Sequence, residues 1–198
     1  MIQTEVTVQV FENFDNINKK LCNQGFKICD EFFVNDYYFT KLCLKDLKSM
    51  NYIDIMNNTI LVREFFANDK IIDKKLVYKK KLLDNNQNVI SEEKTQVHID
   101  NINDTIKLLE MAGLFNWCFI NNHVYTYKKQ DFYFDIHCVK DLGIFLECER
   151  NCSGNNLTSK QMFTSIKNEI KNNLNLKIGN DFSCKKAFMK FKKDNNII

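Results

Sequence analysis

Glu147 and Glu149 stand two residues apart in the run Leu142–Glu149, LGIFLECE, with Leu146 and Cys148 at the alternate positions. In an extended chain residues i and i+2 share a face. The two carboxylates therefore form a pair of the kind that holds Mg²⁺ or Mn²⁺ through oxygen. Other charges also fall inside strand-like patterns rather than in loops: Glu5, Arg63, Lys79, Lys81, Glu93 and Asp135. Arg63 is one of two arginines, with Arg150, among the 28 basic residues, and its planar fork suits phosphate oxygens. On periodicity alone it reads equally as a surface arginine paired with Glu64.

The elements that would position these groups follow from the apolar period. Thr4 to Phe11 alternates valines with Glu5, Thr7 and Gln9, a period-two strand. Phe14, Ile17 and Leu21 make one helical stripe that stops near Gly25. Further strands are expected over 32–42, 58–66, 76–83, 89–99, 119–127, 131–139 and 144–150, with a polar turn over 68–75. A hairpin is expected around Lys128-Lys129-Gln130, and a helix from about Asn103 to Gly113. Thr158-Ser159-Lys160-Gln161 matches a capping box opening a helix with Phe163, Ile166, Ile170 and Leu174, and a last short helix holds Ala187, Phe188 and Phe191. This order argues for α+β, a curved or closed antiparallel sheet with helices outside. Helices must cover one face, so in a closed barrel the strand charges line the interior. Mixed acids and bases there suggest a water-filled site for an anion and its metal.

Composition narrows the function. The chain has 198 residues, 44% hydrophobic, enough to bury a core and too apolar for disorder. No stretch approaches the roughly 18 apolar residues of a membrane span. The N-terminus lacks the pattern of a signal peptide. A net charge of +3, with both signs mixed along the chain, is weak for a DNA binder. The eight cysteines include no C-x-x-C pair, and Cys148 and Cys152 have no second pair at zinc-site spacing. The five glycines are isolated, so no P-loop or dinucleotide-binding turn exists, and side chains must handle any phosphate.

The ordered set Glu5-x-Thr7-x-Gln9, Asp36-Tyr37-Tyr38-Phe39, Leu61-Val62-Arg63-Glu64, Val77-Tyr78-Lys79 and Leu142-Gly143-x-Phe145-x-Glu147-x-Glu149 resembles the CYTH superfamily. These triphosphate tunnel enzymes include class IV adenylyl cyclases, thiamine triphosphatases and inorganic tripolyphosphatases. The resemblance runs through nearly the whole chain, and LGIFLECE against L-G-x-F-x-E-x-E is its most specific piece. It implies a single domain over 1–198: an eight-stranded antiparallel β-barrel with helices packed outside, the C-terminal ones from about residue 158. The tunnel would hold a triphosphate with Mg²⁺ or Mn²⁺. The resemblance implies Arg63, Lys79 and Lys81 for phosphate and Glu5, Glu147 and Glu149 for metal, with Arg63, Lys79 and Glu147 carrying the catalysis. The substrate would be ATP, thiamine triphosphate or tripolyphosphate. A cyclase would direct the ribose 3′-oxygen onto the α-phosphorus, and a phosphohydrolase would direct water onto the γ-phosphorus. A cytoplasmic protein without DNA or membrane partners is expected, with a homodimer left open.

The chain departs from this pattern in three places. The family's first strand reads E-x-E-x-K, against Glu5-x-Thr7-x-Gln9 here. Ile120 and Asn122 stand where a Lys and an Arg are usual, and His137 replaces an aspartate, with Asp135 two residues earlier on the same face. His123 and His137 are the residues that could restore basic groups to a substrate site, since either titrates near neutral pH. The alternative is a catalytically degenerate tunnel that binds a nucleotide or polyphosphate without turnover. Other cations at the vacated positions would favour an enzyme, and Phe or Tyr side chains plugging the tunnel would exclude both readings.

Overall fold

A computed structural model describes residues 2–68, 70–83, 89–151 and 158–197; Cys152 lies outside them. The elements run β1 (Ile2–Val10), α1 (Phe14–Asn23), β2 (Lys27–Thr40), α2 (Leu44–Ser49), α3 (Tyr52–Asn57), β3 (Thr59–Ala67), β4 (Lys70–Leu83), β5 (Val89–His98), α4 (Ile102–Met111), β6 (Phe115–Lys129), β7 (Phe132–Val139), β8 (Gly143–Asn151), α5 (Ser159–Asn173) and α6 (Lys186–Asp194). The strands close into one antiparallel barrel in the order β1-β5-β4-β3-β2-β6-β7-β8, with β8 returning to β1.

The alternation in each strand decides which side chains face in. On β1, Val6, Val8 and Val10 are buried outward against α1 and α5, in a core with Ile17, Leu21, Ile166 and Ile170. Glu5 consequently faces the interior. A second outer core joins Phe39 and Val62 to Ile102 and Leu109 of α4. A third cluster is partly interior: Tyr38, Leu61, Val77, Ile120 and Phe145 pack with Ile55, Ala187 and Phe191 of the short helices and α6. One end of the barrel is thus filled with apolar side chains under a helical cover, while the rest of the lumen is polar.

Local signals explain the boundaries. Thr158 and Gln161 form the reciprocal capping box that opens α5. Gly113 ends α4 at φ +82°, and Gln130 turns the β6–β7 hairpin at φ 53°. The polar stretch read as a turn over 68–75 is mostly strand. β4 starts at Lys70, and Asp73, Lys74 and Lys75 pair with Phe65, Glu64 and Arg63. Asp73, Lys74 and Lys75 are consecutive and so fall on both faces of the pleat, and polarity there marks a solvated strand rather than a loop. The helices α2 and α3 had no apolar stripe long enough to announce them.

The barrel has one thin seam. Among the described residues β1 meets β5 over Ile2↔Glu93 and Gln3↔Glu92, whereas it pairs with β8 from Gln3 to Val10. Beyond the seam the free edge of β1 is taken up by the chain between α5 and α6. Phe11 N–H donates to Lys177 O (2.8 Å), Gly179 N–H to Gln9 O (2.9 Å), and Cys184 N–H to Thr7 O (3.0 Å). Edge groups that would otherwise be unpaired are satisfied in this way, and the C-terminal arm is led to the barrel mouth.

Candidate functional site in the barrel lumen

The polar lumen holds a cavity of about 190 Å³. Antiparallel register brings its acids together: Glu5 on β1 lies opposite Glu149 on β8, and Thr7 lies opposite Glu147. Glu5, Glu147 and Glu149 each offer a carboxylate oxygen within 4.8 Å of the others. Thr7, which replaces a carboxylate of the family pattern, donates its hydroxyl to Glu5 Oε1 at 3.1 Å and so orients it. Burial raises the Glu149 pKa, and the neighbouring Glu5 and Glu147 raise it further. Burial would also raise Glu5, but Lys79, Lys81, Lys185 and Lys186 outweigh it and hold that carboxylate well below its usual range.

Cations form the facing wall. Arg63 on β3 donates from Nε and Nη2 to the buried Asp36, at 2.6 and 2.7 Å. Lys79 on β4 contacts Glu92 at 2.8 Å and Glu5 at 3.7 Å, and Lys81 is paired with the other oxygen of Glu92. The backbone N–H of Lys81 donates to Asn57 at the end of α3, which fixes this stretch of β4. Lys94 on β5 completes the strand contribution. The C-terminal arm then supplies two more: Lys186 reaches Glu147 Oε2 at 2.6 Å, and Lys185 lies over the Tyr52 ring. Among the described residues Lys94 and Lys185 form no ion pair. Burial lowers the pKa of each, and the neighbouring cations lower it further: Lys79 and Arg63 for Lys94, Lys81 for Lys185.

On the β6–β7 side the lining is Asn122, Asp135 and His137. Burial, with smaller carboxylate repulsion from Glu147, pushes Asp135 up to about 6, although Thr126 donates to it at 2.7 Å. Burial, reinforced by Lys186, pulls His137 down to about 4, so the imidazole is neutral.

The residues picked from sequence therefore divide. Arg63, Lys79, Lys81, His137, Glu5, Glu147 and Glu149 all line this one cavity, as does Asp135. The pairing offered for Arg63 was wrong, since its partner is Asp36 rather than Glu64. His123 is a correction. It alternates with Asn122, so its ring leaves the lumen, stacks on Phe33 and hydrogen-bonds Glu31 at 2.8 Å. Glu93 is a second correction: it is exposed, and its neighbour Glu92 points inward. A shift of one residue inverts every side chain of a strand, and the SEEK run at 91–94 gave no alternation to set the phase. Lys94, Lys185 and Lys186 went unnoticed. The first was hidden by the same phase error. The other two sit in a lysine-rich tail and are distinguished only by the β1-edge bonds that deliver them.

Six cations line the cavity, Arg63, Lys79, Lys81, Lys94, Lys185 and Lys186, with five carboxylates, Glu5, Asp36, Asp135, Glu147 and Glu149, and a sixth, Glu92, is paired with Lys79 and Lys81. The apparent loss of basic groups is thus made good from other elements. Aromatic side chains share the lining without closing it. The three-carboxylate cluster fits a hard divalent cation, which takes oxygen ligands and relieves the repulsion felt at Glu149.

No family model and no curated protein matches this chain. Solved structures do. The PH1012 protein of Pyrococcus horikoshii OT3 is 20% identical, with a TM-score of 0.66 over 95% of this chain and 98% of its own. The PH1819 protein of the same organism is 15% identical, with a TM-score of 0.70 over 98% and 99%. A Hippeastrum protein, a candidate adenylyl cyclase with a dominant triphosphatase activity, is 11% identical, with a TM-score of 0.54 over 98% and 95%. No helix among the described residues is long and apolar enough to cross a membrane. The likeness is one of fold, and in fold the chain is, like these proteins, an α+β structure built on a closed antiparallel barrel.

Proposed function

We propose that the lumen binds a triphosphorylated small molecule together with Mg²⁺ or Mn²⁺ and cleaves its phosphate chain. The observation that carries this reading is the facing of Glu5, Glu147 and Glu149 by Arg63, Lys79, Lys94 and Lys185 across one enclosed cavity. A divalent cation held by the three glutamates would supply charge neutralisation at the phosphate oxygens. Arg63, fixed by Asp36 through Nε and Nη2, keeps Nη1 for the ligand. Lys94 and Lys185, which form no ion pair among the described residues, gain anionic partners in the phosphates. Because six cations meet six carboxylates, a triphosphate of charge about −4 finds no net attraction until a divalent cation offsets the acids. Chemistry of this kind is mainly positioning and charge stabilisation, and no dedicated protein nucleophile is required. The Hippeastrum protein of the same fold, with its triphosphatase activity, adds to this reading.

A second reading, binding without turnover, is favoured by one observation. Arg63, Lys81 and Lys186 are already paired with Asp36, Glu92 and Glu147. Phosphorus NMR with ATP, thiamine triphosphate and tripolyphosphate in Mg²⁺ or Mn²⁺ separates the outcomes. Orthophosphate with a diphosphate identifies a phosphohydrolase, and pyrophosphate with a cyclic nucleotide identifies a cyclase. Unchanged resonances in every sample would leave binding alone and overturn cleavage.

A further inference from the structure

The β6–β7 wall differs in kind from the rest of the lumen. Asn122 is 3% exposed, and its Oδ1 is buried with no donor among the described residues. Both ring nitrogens of His137 are buried with no hydrogen-bond partner among those residues, and Glu147 Oε2 lies 3.8 Å from Nε2. Asn122 lies opposite Val139 across the ladder, which makes His137 its diagonal neighbour on the same face, roughly 7–8 Å away. The two side chains thus form one patch of unpartnered polar groups on the cavity wall. Buried polar groups are almost always partnered, and an orphan costs free energy until something bonds to it.

Resting on the triphosphate reading above, we infer that Asn122 and His137 form a subsite for a hydrogen-bond donor, a hydroxyl or an amine, carried by an organic group esterified to the phosphate chain. A phosphate oxygen ionised at neutral pH only accepts, so it cannot satisfy Asn122 Oδ1. A hydroxyl donates to Asn122 Oδ1 and still accepts from an N–H of the His137 ring, so it can bridge the two residues. The metal cluster and the cation wall do not discriminate between an inorganic and an organic triphosphate, whereas this patch does. The ligand it selects is an organic triphosphate such as a nucleoside triphosphate, in preference to tripolyphosphate.

Calorimetric titration of the full chain in Mg²⁺ with ATP and with tripolyphosphate tests the inference. Wild-type protein is expected to bind ATP at least about tenfold more tightly, the scale of one buried polar group gaining its partner. Asn122→Leu and His137→Phe, two changes of similar size at separate positions, should each bring the ratio of the two affinities to within about threefold. 2′,3′-Dideoxy-ATP assigns the donor: loss of the preference points to a ribose hydroxyl, retention to an amine of the base. Equal wild-type affinities, or a ratio untouched by both substitutions, would overturn this inference while leaving triphosphate binding intact. Failure of both ligands to bind would overturn the triphosphate reading and this inference together.

Discussion

Lys186, the first residue of α6, places its Nζ 2.6 Å from Oε2 of Glu147 on β8. A cation from the far end of the chain is thereby the internal counter-ion of a carboxylate in the three-glutamate cluster. The contact depends on the arm that hydrogen-bonds along β1 at Thr7, Gln9 and Phe11, beyond the two β1–β5 pairs seen among the described residues. Seam, arm and lysine are one arrangement, which offsets the basic residue missing from the first strand.

Removal of this counter-ion is expected to move two affinities in opposite directions. Lys186→Met leaves Glu147 without its ammonium, so Mn²⁺ should bind more tightly, by about threefold to tenfold, when titrated by electron paramagnetic resonance. Triphosphate affinity should fall, since one cation of the wall is gone. A fall in Mn²⁺ affinity would contradict the counter-ion role.

Arg63 and Asp36 are best tested together. Arg63→Ala alone leaves a buried carboxylate unpaired, which by itself costs stability. The double variant Arg63→Ala/Asp36→Asn removes both charges and should fold. Its triphosphate affinity is expected to drop at least about tenfold, the worth of a charge-assisted hydrogen bond. Unchanged calorimetric affinity would remove Arg63 from the site.

Glu92 is 2% exposed and holds both Lys79 and Lys81. In Glu92→Gln the two ammoniums keep a polar neighbour and lose its charge, and a loss of stability on the order of 3 kcal/mol is expected in urea unfolding. A change within about 0.5 kcal/mol, the range of ordinary surface substitutions, would show that the pairs contribute nothing net.

His123→Phe should leave triphosphate affinity unchanged, because the ring packs on Phe33 outside the lumen. The Asn122→Leu variant at the neighbouring position should not be silent for ATP. Identical responses in the two variants would mean that the face assignment of β6 is wrong.

These residues also show what was legible in the sequence. Period-two alternation on β1 and β8 set Glu5 on one face of its strand and Glu147 with Glu149 on one face of theirs, whereas the roles expected of Arg63 and Lys79 came from the resemblance and not from alternation. β5 reads SEEKTQ without an apolar alternation, and its phase was set only by pairing with β4 and β1. Glu92 and Lys94 therefore stayed hidden behind Glu93. Lys185 and Lys186 are contributed by a tertiary event, the docking of the arm on an open strand edge, which no local pattern encodes. His123 was read inward because a histidine is a chemically attractive residue, while parity placed its neighbour Asn122 in the lumen instead. The capping box at Thr158 needed only four residues in sequence and was found in place.

The measurement that bears most directly on the account is a calorimetric titration of tripolyphosphate and ATP into the protein, with Mg²⁺ and again with excess EDTA. The six cations of the cavity, its five carboxylates and the Glu92 paired to Lys79 and Lys81 predict one site per chain in Mg²⁺ and affinity reduced at least about a hundredfold without it, the order expected when charge neutralisation is withdrawn from a partly buried anion site. Equal affinity in both buffers, or no binding in Mg²⁺, would contradict a metal-assisted triphosphate site in the barrel.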